Sequence, residues 1–416
     1  MHGEPAAGPR PAAMSPPSSD TPAEVYLHIG LPKSGTSYLQ SMLWSSREGL
    51  ADRGVLVPGD KRVSHNQAVW DLMGRRPRGA DLPQIAGSWE ALVEQVRGWS
   101  GSHAVISEEF LAFARPRQVR QAVRAFAPAR VHVVVTIRDL ARVLVGAWQQ
   151  ELAKGETWTW EEYAAAVRDP EQGPASAGVA FWLRQDVVRV LDIWEAEVPR
   201  ERVHLVTVPP AGSPPEPLVE RFAAATRLDP VWLEAADYRG NVSVGVVEAE
   251  VLRRLNASLG DRLNERQYTR VVANGLRPVL QDRRHPVPMG LPEEHVGWVT
   301  ERASAMVEQL RRREHDVQGD LDDLLPRAAA TAVARPDAVE PAELADAAMV
   351  ALETVVEQFA TFWWRVRAKD QEAPPAEGSR LASSARAAAG QARMSALKAT
   401  DRSRLARRLA IRYLNR

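Results

Sequence analysis

Five short apolar runs recur along the first half of the chain, each separated from the next by a stretch with helical spacing. The runs are Val25–Ile29, Gly54–Val57, Ala104–Ser107, Val131–Ile137 and Val203–Val208. Several are β-branched nearly throughout, as suits strands covered on both faces of a parallel sheet. Between them the spacing predicts helices over 36–50, 88–99, 116–126, 140–154 and 179–198. Alternation of this kind predicts an α/β fold, a parallel sheet flanked by helices. The segment 209–217, Pro-Pro-Ala-Gly-Ser-Pro-Pro-Glu-Pro, is read as a loop. Beyond it the pattern is mostly helical, over 218–226, 245–258, 292–315 and 340–369, and the last stretch ends in Phe359, Phe362, Trp363 and Trp364. No internal repeat stands out. The expected organisation is a disordered leader over 1–22, an α/β domain with a helical second half over 23–330, a C-terminal helix over 331–370, and a linker with a basic tail over 371–416.

The first strand leads into the most informative stretch of the chain. Val25 to Ile29 stops at Gly30, and the polar turn Leu31-Pro32-Lys33-Ser34-Gly35 precedes a helix from Thr36, whose Leu39, Met42 and Leu43 share one face. A strand, a glycine turn and a helix N-terminus present backbone N–H groups and the positive end of a helix dipole to an anion. Lys33 adds a full charge there, in a chain with five lysines against forty-eight arginines. A Walker A loop carries its lysine after the last glycine, directly before Ser or Thr. Here Lys33 precedes Gly35, so the loop is of a phosphate-binding type other than that of ATPases and GTPases.

Composition narrows the field. The 416 residues carry 53 basic and 53 acidic side chains, so no global basic field points to nucleic acid. There is no cysteine, which excludes disulfides, thiolate metal sites and a cysteine nucleophile. The histidines lack close metal-ligand spacing, so no metal is expected. No apolar run approaches the ~18–20 residues of a membrane span, and a cytoplasmic protein is the expectation. The tail from Ser379 to Arg416 holds ten basic residues and one acid, a net of +9. It reads as a solvated extension or as a contact for anionic surfaces.

A second strand end adds to the first. The run Val131–Ile137 leads straight into Arg138, and Asp139 is placed to cap a helix beginning at Leu140. In open α/β sheets ligands bind beyond the carboxyl ends of the strands, near a reversal of strand order. Gly30–Ser37 and Arg138 are therefore expected on one edge of the sheet, an arrangement suited to a nucleotide with phosphates at both ends of its ribose.

Pro32-Lys33-Ser34-Gly35-Thr36-Ser37 resembles the 5′-phosphosulfate loop of the sulfotransferase family, whose donor is 3′-phosphoadenosine 5′-phosphosulfate (PAPS). Arg138 resembles the family's arginine after a central strand, which with a serine eight residues on holds the 3′-phosphate. That position is Gly146 here. Arg142, one turn into the helix, is a candidate substitute, and Gly146 would allow close approach of the helix backbone. A late basic loop of the family has a loose counterpart in Arg239-Gly240-Asn241. The likeness extends over roughly 24–280, where the chain is similar to a group of actinobacterial sulfotransferase-like proteins. It implies a P-loop-containing, sulfotransferase-like α/β fold, PAPS as cofactor without metal, and transfer of a sulfuryl group to a hydroxyl or amine of a small molecule or glycan. The alternative is a non-catalytic nucleotide-binding protein on the same fold.

The resemblance also implies roles. Lys33 would neutralise the leaving phosphate. The amides of Ser34, Gly35 and Thr36, with the Thr36 and Ser37 hydroxyls, would hold the 5′-phosphate. A general base is needed, and two places offer one: His65, expected in a polar loop after the second strand, and Glu108, beside Glu109 at the end of Ala104–Ser107. An ordinary histidine pKa near ~6.5 suits a base at neutral pH, whereas a glutamate near ~4.3 needs raising by burial. On that ground His65 ranks first and Glu108 second. His28, His132 and His204 lie inside strands and read as sheet residues. Trp148, Trp158, Trp160 and Trp182 are either pocket or core aromatics.

Overall fold

The structure is a computed structural model in which residues 24–74, 85–234, 244–283, 287–327 and 339–370 are described. Two compact units divide between Ala351 and Leu352. The first is built on a six-stranded, all-parallel sheet, ordered β2-β3-β1-β4-β5-β6. Its strands are β1 (Glu24–His28), β2 (Val55–Leu56), β3 (His103–Ser107), β4 (Arg130–Ile137), β5 (Val203–Thr207) and β6 (Asp316–Gln318).

Period-two alternation along β1 sorts its side chains between two cores. Val25, Leu27 and Ile29 pack with helices Ser64–Leu72, Ser88–Arg97, Pro116–Ala125 and Val187–Glu195, whereas Tyr26 packs with Thr36–Ser45 and Glu216–Ala225. A third core forms around helix Leu140–Leu152, against Trp160–Arg168, Val246–Leu259 and Glu293–Arg311. It contains Trp148 and Trp160, with Trp158 and Trp182 packed partly buried beside it, so these tryptophans are core aromatics.

Three features depart from the sequence reading. The stretch predicted as one helix over 179–198 is two, Ala175–Gln185 and Val187–Glu195, because the Asp186 carboxylate caps a fresh N-terminus by accepting from the Arg189 amide at 3.0 Å. His65 lies in the first turn of helix Ser64–Leu72, not in a loop. Strand β6, three residues on the sheet edge, is supplied by pairing with β5 rather than by its own pattern.

No helix among the described residues is long and apolar enough to cross a membrane. Arg239-Gly240-Asn241, the leader and the basic tail lie outside the described residues.

Candidate functional site

Because β1 and β4 are parallel neighbours, their carboxyl ends open side by side. The ladder continues past β1 through the Ile29 amide to Val134 O (2.9 Å) and the Leu31 amide to Thr136 O (2.8 Å). The loop 30–35 then turns over the end of β4, where Arg138 Nη1 donates to the Lys33 carbonyl at 3.3 Å. The two cations expected on one edge are therefore joined directly.

The turn needs its glycines. Gly30 has φ +59°, and a Cβ there would stand 2.5 Å from Thr36 Cγ2; Gly35 has φ +83°, and a Cβ would meet Leu218 Cδ2 at 2.8 Å. Lys33 itself adopts φ +71°, a left-handed conformation that costs a lysine about 1–2 kcal/mol. Strain of this kind persists where surroundings fix it. Here Arg138 holds the Lys33 carbonyl, and Gln185 Nε2 holds the Pro32 carbonyl at 2.9 Å. Gly35 is the N-cap of helix Thr36–Ser45, with no side chain capping it and no acid in the first turn.

A buried chain of hydrogen bonds anchors the loop from beneath. Ser34 Oγ donates to Leu31 O and lies 2.6 Å from Thr136 Oγ1. His28 Nε2 is 3.1 Å from Thr136 Oγ1, and His28 Nδ1 is 2.7 Å from Ser107 Oγ. Since Leu31 O can only accept, the Ser34 proton goes there. Thr136 then donates to Ser34, His28 Nε2–H donates to Thr136, and Ser107 donates to Nδ1. One tautomer of a neutral His28 satisfies every member, and burial pushes its pKa down to about 3. His28→Phe keeps volume but leaves the buried Ser107 hydroxyl without its acceptor and takes from Thr136 one of its two partners, at about 1–3 kcal/mol for the orphaned group. Urea unfolding is expected to show a loss of about 2 kcal/mol or more.

Charge is concentrated at Lys33. Burial lowers its pKa to about 8; Glu109 opposes the shift, and Arg277, Lys154 and Arg138 add to it. Burial, with Arg142 beside it, lowers Arg138 to about 10, so it stays charged at neutral pH. Among the described residues, Arg138 Nε is buried with no hydrogen-bond partner. The Nε of Arg277 is in the same position of need. Arg277 and Lys154, which the sequence does not single out, and Glu109, named there only beside Glu108, complete the electrostatics of Lys33. They reach it from a helical turn, from the end of helix Leu140–Leu152 and from the turn after β3, separations that no local motif encodes.

Other expected ligands are placed differently. The Arg142 guanidinium pairs with Asp139 through Nε and donates through Nη2 to Pro209 O at 2.8 Å, so two of its nitrogens are held against Asp139 and the loop after β5. Asp139 caps its helix as expected, accepting from the Arg142 amide at 2.9 Å. The Thr36 hydroxyl donates to Glu109, and Ser34 serves the chain beneath the loop. Gly146 lies beside Lys33: a Cβ there would be 3.6 Å from Lys33 Cδ, an ordinary contact.

At the carboxyl end of β3, a cavity of about 30 Å³ is lined by Gln40, Trp44, His65, Ser107 and Glu108, among others. It has room for one or two water-sized groups. Both base candidates face it, with opposite electrostatics. His65 is buried, with Nε2 2.8 Å from Pro58 O and the Ser107 amide donating to Nδ1 at 3.2 Å. Nδ1 therefore accepts and Nε2–H donates. Burial lowers its pKa to about 4, and both ring nitrogens are occupied. Glu108 is also buried, and burial together with Glu109 raises it to about 7.

The buried histidines carry a consequence for stability. Burial lowers His28 to about 3 and His65, His103 and His132 to about 4. Their contribution is complete above about pH 6.5 and falls as pH drops toward 4, because the unfolded chain takes up protons that the folded one refuses. Every tenfold loss of proton affinity on folding is worth about 1.4 kcal/mol. Scanning calorimetry is expected to show Tm falling steeply from pH 6.5 to 4; a flat profile would contradict the buried placement.

Glu161, Glu294 and His295 also gather, with ligand-type atoms within 4.8 Å. Trp298 Nε1 donates to His295 Nδ1 at 3.3 Å, so Nε2 keeps the ring proton and points it at Glu161, 3.4 Å away. That is a hydrogen-bond pair rather than a vacant metal ligand.

The fold and this loop define an α/β protein with an anion-ready strand–helix turn. No protein-family model matches the chain, and no curated protein is found to be similar to it. Among solved structures it is similar to the crystal structure of a sulfotransferase from Alicyclobacillus acidocaldarius, at 14% identity and a TM-score of 0.34, over 56% of this chain and 92% of that one. At that level the likeness carries no argument, and the functional reading rests on the site's own residues.

Proposed function

We propose that the chain is a sulfotransferase that moves a sulfuryl group from PAPS to a hydroxyl or amine of a small-molecule or glycan acceptor. The observation that carries this is the junction of two cations at adjacent strand ends: Arg138, with a buried unpartnered Nε, bonded to the backbone of Lys33 at an uncapped helix start. Two such sites on one edge suit a nucleotide phosphorylated on both sides of its ribose. The residues fit the donor: Lys33 and the first-turn amides would hold the 5′ end, and Arg138 the 3′-phosphate. When bound, the donor supplies a sulfuryl group whose departure leaves charge on the 5′-phosphate.

The chain's residues then have separate tasks. Lys33 places its ammonium where that charge gathers, and the amides after Gly35 hold the phosphate oxygens. With the donor bound, an acceptor hydroxyl presented from the Glu108 side would take the sulfuryl group, and the 5′-phosphate would be the leaving group. Glu108 takes the proton, since a pKa near 7 suits a base at neutral pH. His65, first by its ordinary pKa, instead holds Ser107 and Pro58 in place. The transfer is tested by incubating the protein with PAPS and a panel of hydroxylated acceptors and measuring 3′,5′-adenosine bisphosphate released. Release that depends on acceptor and is lost in Arg138→Ala is expected; binding without release across the panel would favour a nucleotide-binding protein.

A further inference from the structure

The carboxylate of Glu109 reaches the helix start from a different part of the fold. Glu109 opens the turn Glu109–Phe113 after β3, and its side chain accepts from the Thr36 hydroxyl, 73 residues away in sequence. Its backbone presses on the beginning of the loop. A Cβ added at Gly30 would stand 3.2 Å from Glu109 Cβ and 3.6 Å from its Cα. Glu109 is also the carboxylate that acts on Lys33. Neighbouring acids have other tasks: Asp139 pairs with Arg142, Glu151 with Lys154 and Arg184, and Glu108 accepts from the Phe110 amide. Among the described residues, Glu109 is thus the acid whose oxygen meets the first turn of helix Thr36–Ser45, which holds no acid of its own.

Two anions cannot share these donors. In the donor reading above, on which this inference rests, Lys33 and the first turn of the helix take the 5′-phosphate. A carboxylate seeks the same hydroxyl and the same positive field. Held there together, the two would face each other as like charges in a partly buried setting, where repulsion is poorly screened. We propose that Glu109 is an internal competitor of the 5′-phosphate: carboxylate and phosphate take the same donors, and each leaves as the other binds. The Glu109 side chain is half-buried, so it has water to turn into. Local capping does not account for the contact. A capping side chain comes from the residue just before the helix, and that residue is Gly35. Positioning of Lys33 by Glu109 predicts an effect of opposite sign, since loss of a positioning group weakens the ligand.

Calorimetric titration with 3′,5′-adenosine bisphosphate and with adenosine 3′-monophosphate tests the proposal. It is run at pH 6.5, where Lys33, with its pKa of about 8, keeps its ammonium. Glu109→Gln and Glu109→Ala are expected to tighten the bisphosphate about tenfold, the value of one charge-assisted contact no longer contested. Both leave the monophosphate unchanged, because it lacks the contested group. Far-UV circular dichroism and the monophosphate together report that each variant is folded. The control for net charge is Glu216→Gln, which removes an exposed acid that acts on Tyr38 in the same turn. Its bisphosphate affinity stays at the wild-type value. Weaker bisphosphate binding in the Glu109 variants overturns the proposal and makes Glu109 a positioning group for Lys33. Unchanged binding overturns it too, as does equal tightening by Glu216→Gln or of the monophosphate, which are effects of net charge alone. In each of these cases the wild type still binds the bisphosphate, and the donor reading stands. A wild type and Glu109 variants that all fail to bind it overturn both.

Discussion

Replacing Glu108 by glutamine is expected to lower turnover by about 10²–10⁴-fold, the usual contribution of a positioned general base, and to leave affinity for 3′,5′-adenosine bisphosphate unchanged. The carboxylate lines the cavity with His65 and Ser107 rather than the loop 30–35, which separates the two effects. Wild-type turnover should rise with pH through about 7 as Glu108 loses its proton and flatten above that. Stability should move the other way. With its folded pKa raised, Glu108 keeps a proton between about pH 4.5 and 7 that the unfolded chain releases, so its contribution declines as pH rises through that window and is absent above it. Glu108→Gln removes the decline, and its Tm at pH 8 should exceed that of the wild type. His65→Asn, by contrast, should reduce stability more than it changes the pH profile. A rising limb that persists unchanged in Glu108→Gln would transfer the role to another group.

Lys33→Gly is expected to weaken binding of the bisphosphate by about ten- to a hundredfold, the value of one charge-assisted contact of about 1.5–3 kcal/mol. Turnover should fall further, by about another 10²–10³-fold, since the ammonium acts most where charge develops. The same change relieves a left-handed lysine and a half-buried charge, so the fold should remain at least as stable. Loss of binding with retained stability distinguishes a ligand contact from a structural one. Lys33 also sets a pH limit. Its pKa of about 8 means that affinity should fall as pH rises through 8 and the ammonium is lost. With Glu108 the turnover profile becomes a bell with limbs near 7 and 8, belonging to the site as a coupled whole. Titration calorimetry and initial rates from pH 6 to 9 measure both limbs.

Legibility in the sequence follows how local each determinant is. Strand β1, the turn at Gly30 and Gly35 and the Asp139 cap are written in consecutive residues, and they fold where the pattern places them. That the ends of β1 and β4 share an edge follows from a general rule about strand ends. Helix Ser64–Leu72 escapes the pattern because its N-cap, Val63, has no side-chain bond, and Ser-His-Asn-Gln reads as a polar loop. Helix Trp160–Arg168 does carry a readable signal, the capping box of Thr159 and Glu162. The π-helical turn Thr269–Leu276 before Arg277 is hidden by Gly275 and Pro278, which argue against any helix there. Ranking His65 over Glu108 rests on ordinary pKa values. The reversal comes from burial and from Glu109, and both depend on what the fold packs around the two side chains. Arg142, similarly, is free in sequence and committed in space to Asp139 and Pro209.

The most direct test of the two-anion site is a calorimetric titration with 3′,5′-adenosine bisphosphate, set against ATP with Mg²⁺, on the wild type and Arg138→Ala. Binding of the bisphosphate well above that of ATP, weakened tenfold or more by Arg138→Ala, is the expected result. Equal binding of both nucleotides, or bisphosphate binding indifferent to Arg138, would contradict it.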